Sequence, residues 1–172
     1  MIWLQITILF SLVFIFYQDM KYRAVYWICF PVLAALLFIV KYNRTGIEQT
    51  LTDAGFSLSF LLVQLFILWG YFSIKHKRAI NITKDYLGWG DVLFLITIVC
   101  YLSPVNYVLF YVGSLILVLF YVITANLLST KVSQQIPLAG LQAALLAVLM
   151  AIEIYSPTTK LYDDSWIYYL VG

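Results

Sequence analysis

Charge is what this sequence has least of. Only 10% of its 172 residues are Asp, Glu, Lys or Arg, whereas a soluble globular domain carries about 25%. So few polar groups cannot cover a compact domain in water, and with 64% of residues hydrophobic the expected solvent is lipid. The formal net charge of +2 lacks the basic excess of a nucleic-acid-binding protein, so no nucleic-acid partner is expected. Cysteine is nearly absent. Cys29 and Cys100 sit in separate apolar runs with no C-x-x-C spacing, which excludes a zinc ribbon and a disulfide framework. The single histidine, His76, lies between Lys75 and Lys77 and reads as a solvated loop residue. There is no internal repeat, no low-complexity segment and no soluble domain. The first apolar run also lacks a basic region ahead of it. Its first cations, Lys21 and Arg23, follow it, so it reads as a retained helix with its N-terminus outside and not as a signal peptide.

What the chain does have is apolar runs of membrane length. A crossing helix needs about 20 residues, within a range of about 17–25. The candidates are Ile2–Tyr17, Val25–Val40, Phe56–Ile74, Asp91–Leu102, Val105–Leu128 and Pro137–Tyr155. They predict an all-α fold, a polytopic membrane bundle of about six transmembrane helices in one domain, 1–172. The 37 residues from Val92 to Leu128 would make one helix about 55 Å long, nearly twice a hydrocarbon core of about 30 Å. The run must therefore fold back, and Ser103-Pro104-Val105-Asn106 is the expected turn. The fourth helix is then too short to cross unaided. Leu87-Gly88-Trp89-Gly90-Asp91 should lie below the membrane surface as irregular backbone lining a cavity.

Orientation follows from the cations in alternate loops. One side would hold Lys21, Arg23, Lys75, Lys77, Arg78, Lys84 and Lys131, which is seven, and the other Lys41, Arg44 and Lys160, which is three. The first side is expected to be cytoplasmic, with both termini outside.

Three acids fall on that first side: Asp19 just after helix one, Asp85 in the basic loop and Asp91 at the start of helix four. Two crossings separate Asp19 from Asp91 and return the chain to the same face, so the two can meet. Two carboxylates a few ångströms apart cannot easily both ionise, so one keeps a proton and the other loses it. That state suits hydrolysis of a peptide bond: the anion takes a proton from water while the acid donates one to the carbonyl oxygen. Glycine lacks a β-carbon, so Gly88 and Gly90 would let a substrate strand approach Asp91. Pro137 suits the first turn of helix six, and Gly140 permits close contact there. Taken singly, each residue has a plainer role. Asp91 would cap helix four, Asp19 and Asp85 would be solvated loop acids, Gln142 a packing hydrogen bond, Glu153 an interfacial charge, and Trp89 part of an aromatic belt.

Context raises Asp19 and Asp91 above those readings. Gly88-Trp89-Gly90-Asp91 matches a G-x-G-D motif, and Asp19-Met20-Lys21-Tyr22-Arg23-Ala24-Val25-Tyr26 follows D-x-x-x-R-x-I/V-P except at its last position. With six helices of matching parity, the chain resembles the type IV prepilin and preflagellin leader peptidases, which are GxGD intramembrane aspartyl proteases. The resemblance spans nearly the whole chain. It implies an aspartic endopeptidase of the cytoplasmic membrane with catalytic Asp19 and Asp91, and with Gly88, Gly90, Arg23 and Pro137 shaping the site. It also implies a pilin-like precursor as partner, cut at a glycine between a basic leader and an apolar helix. No cofactor and no metal are implied. The family's larger bacterial members carry a cysteine-rich zinc domain and methylate the new N-terminus; this chain has neither those cysteines nor the space, so cleavage without methylation is expected. Family members commonly have lysine two residues after the second aspartate, where this chain has Leu93, which implies an altered pH dependence. The rival expectations are a small transporter or channel, since intramembrane acids also serve ion pathways, and an inactive relative that only binds pilin-like helices.

Overall fold

The computed structural model describes residues 2–76, 88–128, 137–156 and 160–166. Among them every regular element is helical: α1 Ile2–Tyr22, α2 Cys29–Thr45, α3 Ile47–His76, α4 Trp89–Val99, α5 Pro104–Leu128 and α6 Leu138–Tyr155. Four of the six, α1, α3, α5 and α6, are long and apolar enough to cross a membrane, and the protein is a membrane-embedded helical bundle. α2, with 17 residues, and α4, with 11, pack among them.

The bundle is organised by two seams. On α1, Gln5, Ile8, Leu12, Ile15 and Asp19 are buried, a three-four spacing that lines one helix face. On α6 the matching face is Ala139, Ala143, Leu146, Met150 and Glu153, also buried. Each helix packs more extensively on the other than on any other neighbour. Small residues at the start of α6 let the backbones approach there, as at other membrane helix pairs. Asp19 is thus the last member of a core stripe, which is why a carboxylate is buried at 8% exposure.

α4 is apolar around most of its circumference, with Val92, Phe94, Leu95, Thr97, Ile98 and Val99 all buried, the pattern of a central helix. Enclosed by α2, α3 and α6, it need not match the bilayer in length. α3 and α5 stand at the outside, and in each only 11% of the most apolar window is buried. α2 turns into α3 through one residue, Gly46, whose φ of 82° is the left-handed conformation that glycine adopts without penalty. Its N–H donates to Tyr42 O at 2.9 Å.

The helix limits differ from those expected in three places that matter. α1 runs on to Tyr22, so Asp19 lies on its last turn and not in a loop after it. α3 begins at Ile47 and not Phe56, because the polar stretch after Gly46 is helical. Trp89, Gly90 and Asp91 form the first turn of α4, so the irregular backbone expected there is confined, among the described residues, to Gly88. Asp85 and most of the basic loop lie outside the described residues, as do Lys131 and Ile136.

Candidate active site

The first turn of α6 begins with N–H groups that have no partner inside the helix. Pro137, at the cap position, supplies no side-chain cap. Carboxylates from two other helices do it instead. Asp19 Oδ2 accepts the Gly140 N–H at 2.7 Å, and Asp91 Oδ1 accepts the neighbouring Ala139 N–H at 2.8 Å. The positive end of the helix dipole favours negative charge at the same place. Residues 72 positions apart in the sequence are therefore gathered on two consecutive amides, and the charge of Asp19 is felt at Asp91.

Asp91 has a second duty. Its Oδ2 accepts the Gly88 N–H at 3.1 Å, the side-chain half of a capping box on α4. The plain reading of Asp91 as a helix cap thus holds for one oxygen, while the other caps a different helix.

A β-carbon would be crowded at two of the positions around the pair. A β-carbon on Gly140 would sit 3.0 Å from both Cβ and Oδ2 of Asp19, and one on Gly88 would sit 3.0 Å from Asp91 Oδ2. Gly90 differs: its β-carbon would meet only Phe30 Cζ, at an ordinary 3.8 Å. Gly140→Ala should therefore push Asp19 off its amide and lower the unfolding temperature. Gly90→Ala should keep the fold and gain up to about 1 kcal/mol of helix propensity. Thermal unfolding of both variants in detergent checks this, and equal losses would show that the crowding at Gly140 is relieved elsewhere.

Arg23 adopts a left-handed φ of 53°, donates its N–H to Asp19 O at 3.0 Å, and its charge acts on the Asp19 carboxylate. Leu93 does not face the pair. It lies two residues beyond Asp91, about 200° around the helix, and packs against the apolar core. The lysine that the resemblance implies at this position would lie at the edge of the apolar core, on the side of α4 away from Asp91.

A polar network at the opposite end of the bundle was not expected. Lys41, with no exposed surface, pairs with Asp53 Oδ2 at 2.8 Å and donates to Leu102 O at 3.1 Å. Arg44 pairs with Glu153, and Tyr101 donates to the other Glu153 oxygen at 2.6 Å. Glu153 is therefore a buried partner and not an interfacial charge. Residues 160–166 close over this end: Ser103 Oγ donates to Asp164 Oδ1 at 2.5 Å, and Asn106 Nδ2 donates to Leu161 O at 3.1 Å. Lys41 and Asp53 had a signal, since they flank the tight Gly46 turn; Arg44 and Glu153, 109 residues apart, had none. No group of three or more His, Cys, Asp or Glu that could hold a metal exists among the described residues.

In comparisons with known proteins, no family model, no curated protein and no solved structure matches this chain.

Proposed function

We propose that this protein is an intramembrane aspartyl endopeptidase that removes a short leader from pilin-like precursors at the cytoplasmic face of the membrane. The observation that carries the reading is the seating of Asp19 and Asp91 on the consecutive amides of Gly140 and Ala139. Two carboxylates so placed repel if both are ionised, which favours a pair holding one proton between them. The ionised member takes a proton from a water molecule as its oxygen attacks the scissile carbonyl, and the protonated member gives its proton to the carbonyl oxygen. Collapse of the tetrahedral species breaks the C–N bond and returns a proton to the leaving amine. The amides of α6 hold both carboxylates in place throughout, so little reorganisation accompanies the proton transfers. The excess of Lys and Arg on the dyad side supports a cytoplasmic placement of that side.

The buried charges at the far end lend some weight to a transporter. Between the two polar ends, however, lies a layer of buried apolar side chains, among them Leu12, Ile15, Leu37, Phe94, Ile98 and Leu146. A conduction path needs polar groups through its depth, so this layer favours the peptidase.

The test is incubation of the purified protein with a precursor bearing a basic leader, a glycine and an apolar helix, followed by mass spectrometry of the products. A single cut at the glycine is expected. An intact precursor would sink the proposal and move the inactive-relative reading ahead.

A further inference from the structure

Gln142 is 1% exposed, yet its carboxamide is only half used. Its Nε2 donates to Ser114 Oγ at 3.2 Å, while Oε1 has no hydrogen-bonding partner among the described residues. The orientation of the amide is set by Ser114, whose hydroxyl donates to Tyr111 O at 2.8 Å and so has only lone pairs to offer Gln142. Because the carboxamide is planar, its carbonyl points away from Ser114 on the other branch. Buried acceptors are nearly always matched by a donor, and this one stands unmatched on α6, within a turn of the Ala139 and Gly140 amides that seat the dyad. Gln142 follows Ala139 by three residues, so it lies on the same face of α6, displaced by about 4.5 Å along the axis.

The surroundings supply a way in. On α5 the buried residues are Tyr107, Phe110 and Ser114, and among the described side chains none beyond Ser114 is buried. On α3 the last buried residue is Leu61. Among the described residues, both outer helices therefore bury no side chain over the half nearer the dyad. α5 continues for about 20 Å past Ser114, whereas α6 begins only about 6 Å before Gln142, so α5 projects beyond the dyad. Ser114, bonded to Gln142, is the last buried residue of α5 among those described, and the two mark the fork between α5 and α6 by which a strand would enter.

We propose that Gln142 is a positioning residue for the peptide substrate: a main-chain N–H of the strand entering at this fork donates to Gln142 Oε1 and sets the scissile carbonyl against the dyad. This rests on the peptidase reading. An extended chain advances about 3.3 Å per residue, so the bonded N–H belongs one or two residues from the cut.

The test is a set of semisynthetic precursors in which single backbone amides near the cleavage glycine are replaced by esters, which remove the N–H and keep the chain. They are cut by the unmodified enzyme and by Gln142→Leu. With the unmodified enzyme, one ester position should lower kcat/KM about tenfold, the value of one hydrogen bond between buried groups. Gln142→Leu should lose about as much on the all-amide precursor and nothing further on that ester, with the loss expressed in kcat. Ser114→Ala, which only frees the amide to turn, should weaken the same coupling and serves if Gln142→Leu fails to fold. Losses that simply add at every ester position would overturn the role of Gln142 while leaving the peptidase standing. Failure of the unmodified enzyme to cut the all-amide precursor would remove the peptidase reading and this inference with it.

Discussion

Asp19→Asn and Asp91→Asn are each expected to lower precursor cleavage by about 10²–10⁴-fold, the usual contribution of a positioned acid or base, while Asp85→Asn leaves it unchanged. Asparagine matches aspartate in size but cannot exchange a proton. The two variants should differ in stability. Among the described residues Asp19 accepts from Gly140 with one oxygen, and the Asn carbonyl can take over that bond. Asp91 accepts with both oxygens, from Ala139 and from Gly88, so in Asp91→Asn an amide NH₂ must face an N–H. One bond is lost, and about 1 kcal/mol with it. The pH profile of the unmodified enzyme should be bell-shaped, because the active form holds one proton between two carboxyls, and both limbs belong to the pair and not to either residue. Cleavage that survives Asp91→Asn in a folded protein would return that residue to its role as a helix cap, and a monotonic pH profile would argue against a shared proton.

That Asp19 and Asp91 are gathered at the same end of the bundle was legible in the sequence, because two crossings return the chain to one face and the two motifs single these acids out. What joins the acids was less so. Ile136-Pro137-Leu138 suggested a helix start, but nothing in it says that the Ala139 and Gly140 amides receive carboxylates from α1 and α4. Such bonds run between main chain and side chain, and they leave no mark beyond the small residues that make room. Leu93 illustrates the opposite difficulty: two residues from Asp91 is close in sequence but falls on the far side of a helix. The four outer-facing and seam helices showed themselves through their apolar length. α4 showed itself through the fold-back that the long apolar run requires, and it can be shorter than a crossing helix because its neighbours shield it from the bilayer's demand on length. Lys41 and Glu153 sat at the ends of apolar runs, where a charge is ordinarily interfacial, and their burial depends on partners that come from other helices, Asp53 for Lys41 and Arg44 and Tyr101 for Glu153.

Breaking the far-end ion pair is expected to cost more stability than any change at the dyad. In Asp53→Leu the ammonium of Lys41, with no exposed surface, keeps the Leu102 carbonyl as its one hydrogen-bond partner among the described residues. A charge stripped of its partner in such a place destabilises by about 3–5 kcal/mol. Lys41→Met should cost less, because the carboxylate left behind, with 14% of its side chain exposed, still reaches solvent. The double variant Lys41→Met/Asp53→Leu should recover most of the loss, since a buried pair replaced by apolar groups of similar size is often neutral. Denaturant or thermal unfolding in detergent gives the three values, and their failure to be additive measures the pair. Single variants that both lie within about 1 kcal/mol of the parent would place the pair in the class of surface salt bridges. Cleavage per folded molecule should be the same in all three, because buried apolar side chains such as Leu12, Leu37 and Ile98 stand between Lys41 and Asp53 and the dyad.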